Sequence, residues 1–276
     1  MTRAAAERSS GAAWYLRRVT VRAHGRIVFW EGASLWVLGT RPGEARYPRT
    51  DVHAHHAVQV TLALRGRFAL VDRERLVERQ AAAVDADTDH AFEAEGTVAH
   101  LFIAPDGREG RAIARRLFAE GRVVPIAEEW LAAAAARLLA DFESPDQSDA
   151  ALVAWGRQLV TRLASDHATA PRPDLRVRKM IAWAASGLER SLTLADGAAH
   201  VGLSSGRARH LFVEQTGLPF RSYLLWLRLT KAVQVYAGGL SLTEAAHAAG
   251  FSDSAHLSRT FRRMFGITAD SLRVSS

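Results

Sequence analysis

Cysteine is missing from all 276 residues. That absence excludes structural disulfides, thiolate metal sites and thiol catalysis. Long apolar runs are missing as well. No stretch of about 18 uninterrupted apolar residues occurs, so no membrane span is expected. The opening segment MTRAAAERSSGAAWYL has no apolar core of the kind a secretory signal needs. The expectation is a cytoplasmic protein with no membrane partner. Negative charge is scarce in one half only. Lys and Arg total 36 against 29 Asp and Glu, a net +7. From Pro171 onward there are 14 basic and 7 acidic residues, so the first 170 residues are neutral. A charge excess confined to one region points to a polyanion as its partner, against the blander reading of a basic solvated surface.

Between Trp14 and Ala104 short β-type runs alternate with turns: Ile27–Trp30, Ser34–Leu38, Val58–Leu64, Phe68–Val71, Ala82–Val84 and Val98–Ile103. Short strands at such intervals predict a small antiparallel barrel or sandwich. Gly107–Glu120, Ile126–Phe142 and Asp149–Asp166 carry apolar residues at three- and four-residue spacing and predict helices. The segment HATAPRPD, His167–Asp174, has two prolines and little to bury, and reads as a linker. The division is therefore 1–166, a linker over 167–174, and 175–276.

Beyond the linker one pattern occurs twice: a helix, a tight turn containing glycine, then a capped helix. The copies begin at Leu192 and Leu242, with Gly202–Leu203–Ser204 matching Gly250–Phe251–Ser252. Ala198 and Ala246 are small enough for two helices to cross closely, as a helix-turn-helix requires. In the second helix of copy one, Ala208, Leu211, Phe212 and Gln215 form the packing side. In copy two, Leu257, Phe261 and Met264 or Phe265 do so. The opposite sides carry Ser, Arg and His, which suits entry into a DNA major groove. Arg pairs with guanine edges, while Ser and further Arg hold phosphates. The competing reading is an ordinary solvated helix face. Pro219 to Ala237 predicts a 19-residue connector of about 28 Å, near one turn of B-DNA.

On these residues the chain resembles the AraC/XylS family of transcription regulators over Leu175–Arg273. Its strongest element is GFSDSAHLSRTFRRMFGITADSLR, with Tyr223, Arg228–Leu229 and Ala232 also in register. Gly197, Ala208 and Ala245 stand where that family has larger aliphatics, and Ala269 replaces a proline. Those truncations predict a softer first helix-turn-helix. The resemblance implies base-reading positions at Gly206, Arg209 and His210 in copy one and Ala255, His256 and Arg259 in copy two. The DNA-binding set is completed by Ser204, Ser205, Arg207, Ser254, Arg262 and Arg263. Implied partners are double-stranded promoter DNA, a second copy of the chain, and RNA polymerase if the protein activates.

The N-terminal half resembles a cupin. His53, His55 and Gln59, followed by Gly66, have the spacing of the first cupin motif, with Gln in place of Glu, and His90 falls on the second. Asp85 and Asp87 depart from the second motif. Strand alternation puts His53, His55 and Gln59 on one face. With His90 they form a ligand set for a divalent metal. The competing reading is pocket or structural histidines without metal, with no cofactor. In that case His53, His55, Gln59, His90 and His100, with Trp30, Trp36 and Phe92, would line a pocket for a small molecule. The expected architecture is α+β: a cupin-like antiparallel barrel with following helices, then an all-α double helix-turn-helix. The expected function is a non-enzymatic, sequence-specific transcription regulator that senses a small molecule. The alternative is a metal-dependent cupin enzyme fused to a DNA-binding region. An architectural DNA-binding protein without a ligand is a third reading.

Overall fold

Alternation along three strands explains how the sheet is built. In Val58–Asp72, Val58, Val60 and Leu62 point to one face, and Gln59, Thr61 and Ala63 to the other. In Ala91–Ile103, Ala99, Leu101 and Ile103 share the first face while His100 and Phe102 share the second. In Ala33–Gly39, Leu35 and Val37 oppose Trp36 and Leu38 in the same way. Successive side chains of a strand point to opposite faces, so a sheet buried on both sides must find two covers. One face is aliphatic and the other is aromatic and polar, and the two covers differ accordingly.

The computed structural model describes residues 23–39, 49–72, 75–127, 129–144, 148–165 and 173–274. Residues 14–22 of the expected strand-rich region and 167–172 of the expected linker lie outside these. Among the described residues eight strands form a single sheet: β1 Ala23–Trp30, β2 Ala33–Gly39, β3 Val58–Asp72, β4 Arg75–Arg79, β5 Ala81–Val84, β6 Ala91–Ile103, β7 Val123–Pro125 and β8 Leu272–Val274. The order is β7-β5-β3-β6-β2-β1-β8, with β4 also on β3. The pairings are antiparallel except β1 with β8, which is parallel. The expected closed barrel is thus an open sheet, because β7 and β8 cap its two ends and no ladder joins them among the described residues. Two runs read as separate strands, Val58–Leu64 and Phe68–Val71, are one strand irregular between Ala63 and Arg65.

The aliphatic face is covered by α1 Arg108–Leu117, α2 Glu129–Glu143 and α3 Asp149–Leu163. Ile113, Leu131, Leu138, Leu152 and Leu159 complete that core. Trp30 belongs here and not to a pocket. Its ring lies so close to Gly156 that a Cβ there would stand 2.4 Å from it. Removal of these apolar side chains from water stabilises the N-terminal half.

Six helices follow: α4 Leu175–Ala185, α5 Leu194–His200, α6 Ser205–Thr216, α7 Phe220–Ala237, α8 Leu242–Ala248 and α9 Ser254–Phe265. Their starts are written in the sequence. Thr193 with Asp196 and Ser241 with Glu244 close reciprocal capping boxes. Ser204 and Asp253 cap the second helix of each copy, and Gly217 and Gly266 end them in left-handed conformation. The tail makes a 3-10 turn, Ala269–Ser271, and then becomes β8, a strand in the half expected to be all-α.

The two helix-turn-helix units are anchored differently. Val177, Met180, Ala208, Leu211, Phe212 and Phe220 give the first a core of its own. The second shares one core with the sheet: Leu229, Ala246, Leu257, Phe261 and Phe265 pack with Ile27, Trp36, Leu38 and Phe102. The softness expected of the first unit is offset locally. A Cβ on Gly197 would sit 3.3 Å from both Met180 and Trp183 and 3.7 Å from Phe220, so neighbours already occupy the space of the missing side chain. Ala208 and Ala245 are fully buried. No helix among the described residues is long and apolar enough to cross a membrane.

Candidate functional site

The outward faces of α6 and α9 form the first candidate surface. Ser204, Ser205, Gly206, Arg207, Arg209 and His210 are exposed at the start of α6. A Cβ on Gly206 would meet nothing within 4 Å, so the backbone there is open to close approach. On α9, Ala255, Arg259, Arg262 and Arg263 are exposed, and Ser254 and His256 are half-buried. His256 is partly engaged, its Nδ1 lying 3.3 Å from Ser252 Oγ. Among the described residues Arg209 and Arg259 form no ion pair. Arg262 does: its Nε donates to Asp51 Oδ2 at 2.8 Å. α7 joins the two units with 18 residues, about 27 Å at ~1.5 Å per residue.

The polar face of the sheet forms the second candidate site, a cavity of about 80 Å³. Trp36, Leu38, Thr50, His53, Gln59, Phe92, His100 and Phe102 line it from the sheet side. Phe265, Ile267, Ser271 and Leu272 line it from the other. The far wall is therefore the end of the second helix-turn-helix, which the sequence reading did not anticipate. Phe102 was also missed, although it stands two residues beyond His100 on the same face. Phe265 packs on Trp36 at 5.0 Å between ring centroids and on Phe102 at 5.6 Å.

Four histidines sit in or behind this cavity, all buried. His53 and His90 pair through their backbones, which brings distant stretches of sequence together. A polar chain runs across the sheet. His55 Nε2 donates to Gln59 Oε1 at 2.8 Å, Gln59 Nε2 donates to Thr61 Oγ1 at 2.9 Å, and Thr61 Oγ1 lies 3.0 Å from His100 Nδ1. Burial holds all four imidazoles neutral. It lowers His55 to about 4 and His100 to about 3, and it lowers His53 and His90 as well. The cavity is thus lined by aromatic rings and neutral polar groups. Gln59, expected as a ligand, lines the cavity and also holds the ring of His55.

Further contacts tie the sheet side to the helices. Asp51 N donates to Gly266 O at 2.9 Å. Arg111 Nη2 donates to Gln215 O at 2.8 Å, at the end of α6. Tyr223 Oη donates to Asp106 Oδ2 at 3.0 Å. His56, unremarked in the sequence, pairs with Asp87 at 2.8 Å and faces Tyr223 and Trp226. Both recognition-type helices are therefore held at their C-terminal ends by the N-terminal half.

A family profile described as a helix-turn-helix domain matches residues 198–274. Over 101 residues the chain is 32% identical to the uncharacterised HTH-type transcriptional regulator YpdC of Escherichia coli (strain K12), covering 36% of this chain and 35% of that protein. It is 33% identical over 93 residues to the HTH-type transcriptional activator RhaS of Klebsiella pneumoniae (strain 342), covering 33% and 34%. The matches span about a third of the length of these relatives. A crystal structure of ToxT from Vibrio cholerae O395 superposes on 87% of this chain and 96% of its own, with a TM-score of 0.56 at 13% identity. The whole two-part architecture is therefore a known fold. Another structure of ToxT, from strain SCE256, holds an unsaturated fatty acid.

Proposed function

We propose that the chain's helix-turn-helix region belongs to the AraC/XylS family of regulators and that the protein is a sequence-specific transcription regulator whose promoter binding responds to a small molecule in the cavity. The observation that carries this reading is the position of Phe265. It is one turn beyond Arg262 on α9, and its ring is a wall of the cavity. Whatever fills the cavity touches the helix that reads DNA, and a ligand with different affinities for two arrangements of that helix shifts their populations. The cupin-like ancestry of the sheet, its ligand and its use as a sensor belong to this proposal. So does a homodimer assembled through the N-terminal half. ToxT, with its fatty acid, is a precedent for the fold and does not identify the ligand. The cavity of this chain offers neutral imidazoles and an amide.

Ser205, Arg207, Arg262, Arg263 and their neighbours hold phosphates in this reading, while Arg209 and Arg259 read bases. The second reading, a metal-dependent enzyme of the cupin type, draws on the cluster of His53, His55 and His90. It requires a substrate path to those rings, and Phe265, Ile267 and Leu272 stand across the cavity. Genome-wide footprinting with the purified full chain tests the regulator. The expected result is a small set of discrete sites, each protected over two successive major grooves. Uniform weak binding would overturn it in favour of an architectural role.

A further inference from the structure

The two helix-turn-helix units meet at the carbonyl of Leu188. This residue lies in the loop between α4 and α5, and its side chain is buried in the core of the first unit. Its carbonyl oxygen accepts from Nε of Arg228, on the connector α7, at 3.1 Å. Nη2 of Arg228 donates to Arg190 O, in the same loop, at 3.0 Å. Gly250, in the tight turn of the second unit, lies against the same carbonyl. A Cβ there would stand 2.1 Å from Leu188 O and 3.1 Å from Arg228 Nε. The loop of the first unit, the connector and the turn of the second thus converge on one oxygen atom.

The turn alone does not require this contact. Gly202 and Gly250 hold the same place in the two copies, with φ of +69° and +76°. Both need the conformational freedom of glycine. Around Gly202, however, a Cβ would meet nothing within 4 Å. Only at Gly250 does a second backbone fill the space of a side chain. Arg228 carries a separate argument. Among the described residues no carboxylate pairs with it, and partial burial lowers its pKa. Its guanidinium is a rigid fork of donors, and the fork closes on two backbone carbonyls. Bonds from a charged donor are stronger than neutral ones. An arginine that answers no acid, on the helix joining the two units, serves geometry.

Resting on the regulator reading above, we propose that Arg228 and Gly250 are positioning residues. They lock the second recognition helix against the first unit and so set the one separation at which two groove segments are read. The length of α7 sets a distance between the units but not their mutual rotation. The N-terminal half holds α6 and α9 at their C-terminal ends, through Gln215 and Gly266. The Leu188 junction holds the opposite end of the second unit, because the turn at Gly250 leads directly into Ser254, the start of α9. Ala255, His256 and Arg259 follow on that helix. One base pair of displacement turns the groove by roughly 35°, since a turn of B-DNA holds about 10–10.5 base pairs. A locked pair of helices therefore reads one spacing, and a hinged pair reads several.

The first test needs no DNA. Because the chain has no cysteine, spin labels can be placed by Glu214→Cys on α6 and Thr243→Cys on α8, both exposed positions. Pulsed dipolar spectroscopy of the labelled full chain should give one narrow distance, and Arg228→Ala should broaden it. Arg228→Lys keeps the charge and the stem but loses the fork, so it should fall between the two. It also serves where the alanine variant fails to fold. Gly250→Ala should shift or broaden the distance, whereas Gly202→Ala, which has open space around it, should leave it in place. The second test uses a footprinted DNA site with one or two base pairs inserted or removed between the protected grooves. Wild-type binding should fall at least about 10-fold, the scale of a mismatched base pair. Arg228→Ala should bind the original site more weakly and distinguish the altered sites by less than about threefold. An unchanged distance in the folded Arg228→Ala protein overturns the junction. A broadened distance with undiminished spacing discrimination overturns its role in specificity. A distance that Arg228→Ala broadens, with no discrete footprint from the wild type, supports the lock and sinks the regulator reading alone.

Discussion

The carboxylate of Asp51 holds the guanidinium of Arg262, with Nε 2.8 Å from Oδ2, although the two residues belong to opposite halves of the protein. An arginine that could meet a phosphate is thus held by a carboxylate of the N-terminal half. Both side chains are more than half exposed, so the pair is weak and screened by salt. Asp51→Asn should raise DNA affinity by less than about fivefold. Fluorescence anisotropy at low and high salt checks this, and the gain should vanish at high salt. A loss of affinity would place Asp51 in support of the bound state instead.

Arg259 and Arg209 should behave as base readers. Replacing either by alanine is expected to weaken specific binding by about 1–3 kcal/mol and to relax preference at one base position. Competition against a library of operator variants distinguishes this from phosphate contact, which would weaken all sequences equally. Arg263→Ala is the phosphate-type control, with a salt slope smaller by about 1.

Phe265→Ala removes a ring buried among Trp36, Phe102 and Phe261. Truncations of this kind cost about 3–5 kcal/mol. In a chain of this size that lowers Tm by roughly 6–20 °C. Hydrogen exchange should rise in β1, α8 and α9, which share that core, and stay unchanged in α5 and α6, which have their own. Equal loosening of both helix-turn-helix units would contradict this division.

Acid should destabilise the sheet side. His100 is fully buried, and its pKa is lowered to about 3 by the loss of hydration. The unfolded chain takes up a proton near pH 6.5 while the folded chain does not. Stability is therefore full above that pH and declines progressively between about 6.5 and about 3. His100→Gln keeps a hydrogen-bonding side chain and should flatten that slope. Thermal melts across this range in EDTA measure it.

The C-terminal helices were readable in the sequence because their determinants are local. Thr193 and Asp196, Ser204 and Asp253 sit beside the backbone groups they cap, and Gly217 and Gly266 mark the ends. The polar face was readable in part, since His53, His55, Gln59 and His100 follow strand or near-strand alternation. What faces them was not readable. Phe265, Ile267 and Leu272 scan as ordinary core residues of a helical unit, and only tertiary packing turns them toward the sheet. The second contact of Gln59 was not readable for a similar reason: spacing places its side chain on the cavity face but does not say that it also bonds a neighbouring ring, that of His55. Gly197 was read as a defect because the compensating side chains, Met180 and Trp183, lie on a different helix.

The pairing of β8 with β1 has a consequence for biosynthesis. β1 is made before every other described segment, and among the described residues its outer edge is closed only by Leu272–Val274. During translation the sheet therefore carries an open edge, with Ile27 and Trp36 uncovered on the face that the second helix-turn-helix will later seal. Such an edge is a template for joining other chains. Fusions or truncations that displace Leu272 should prolong this interval, and a nascent chain stalled there would be sticky before it was folded.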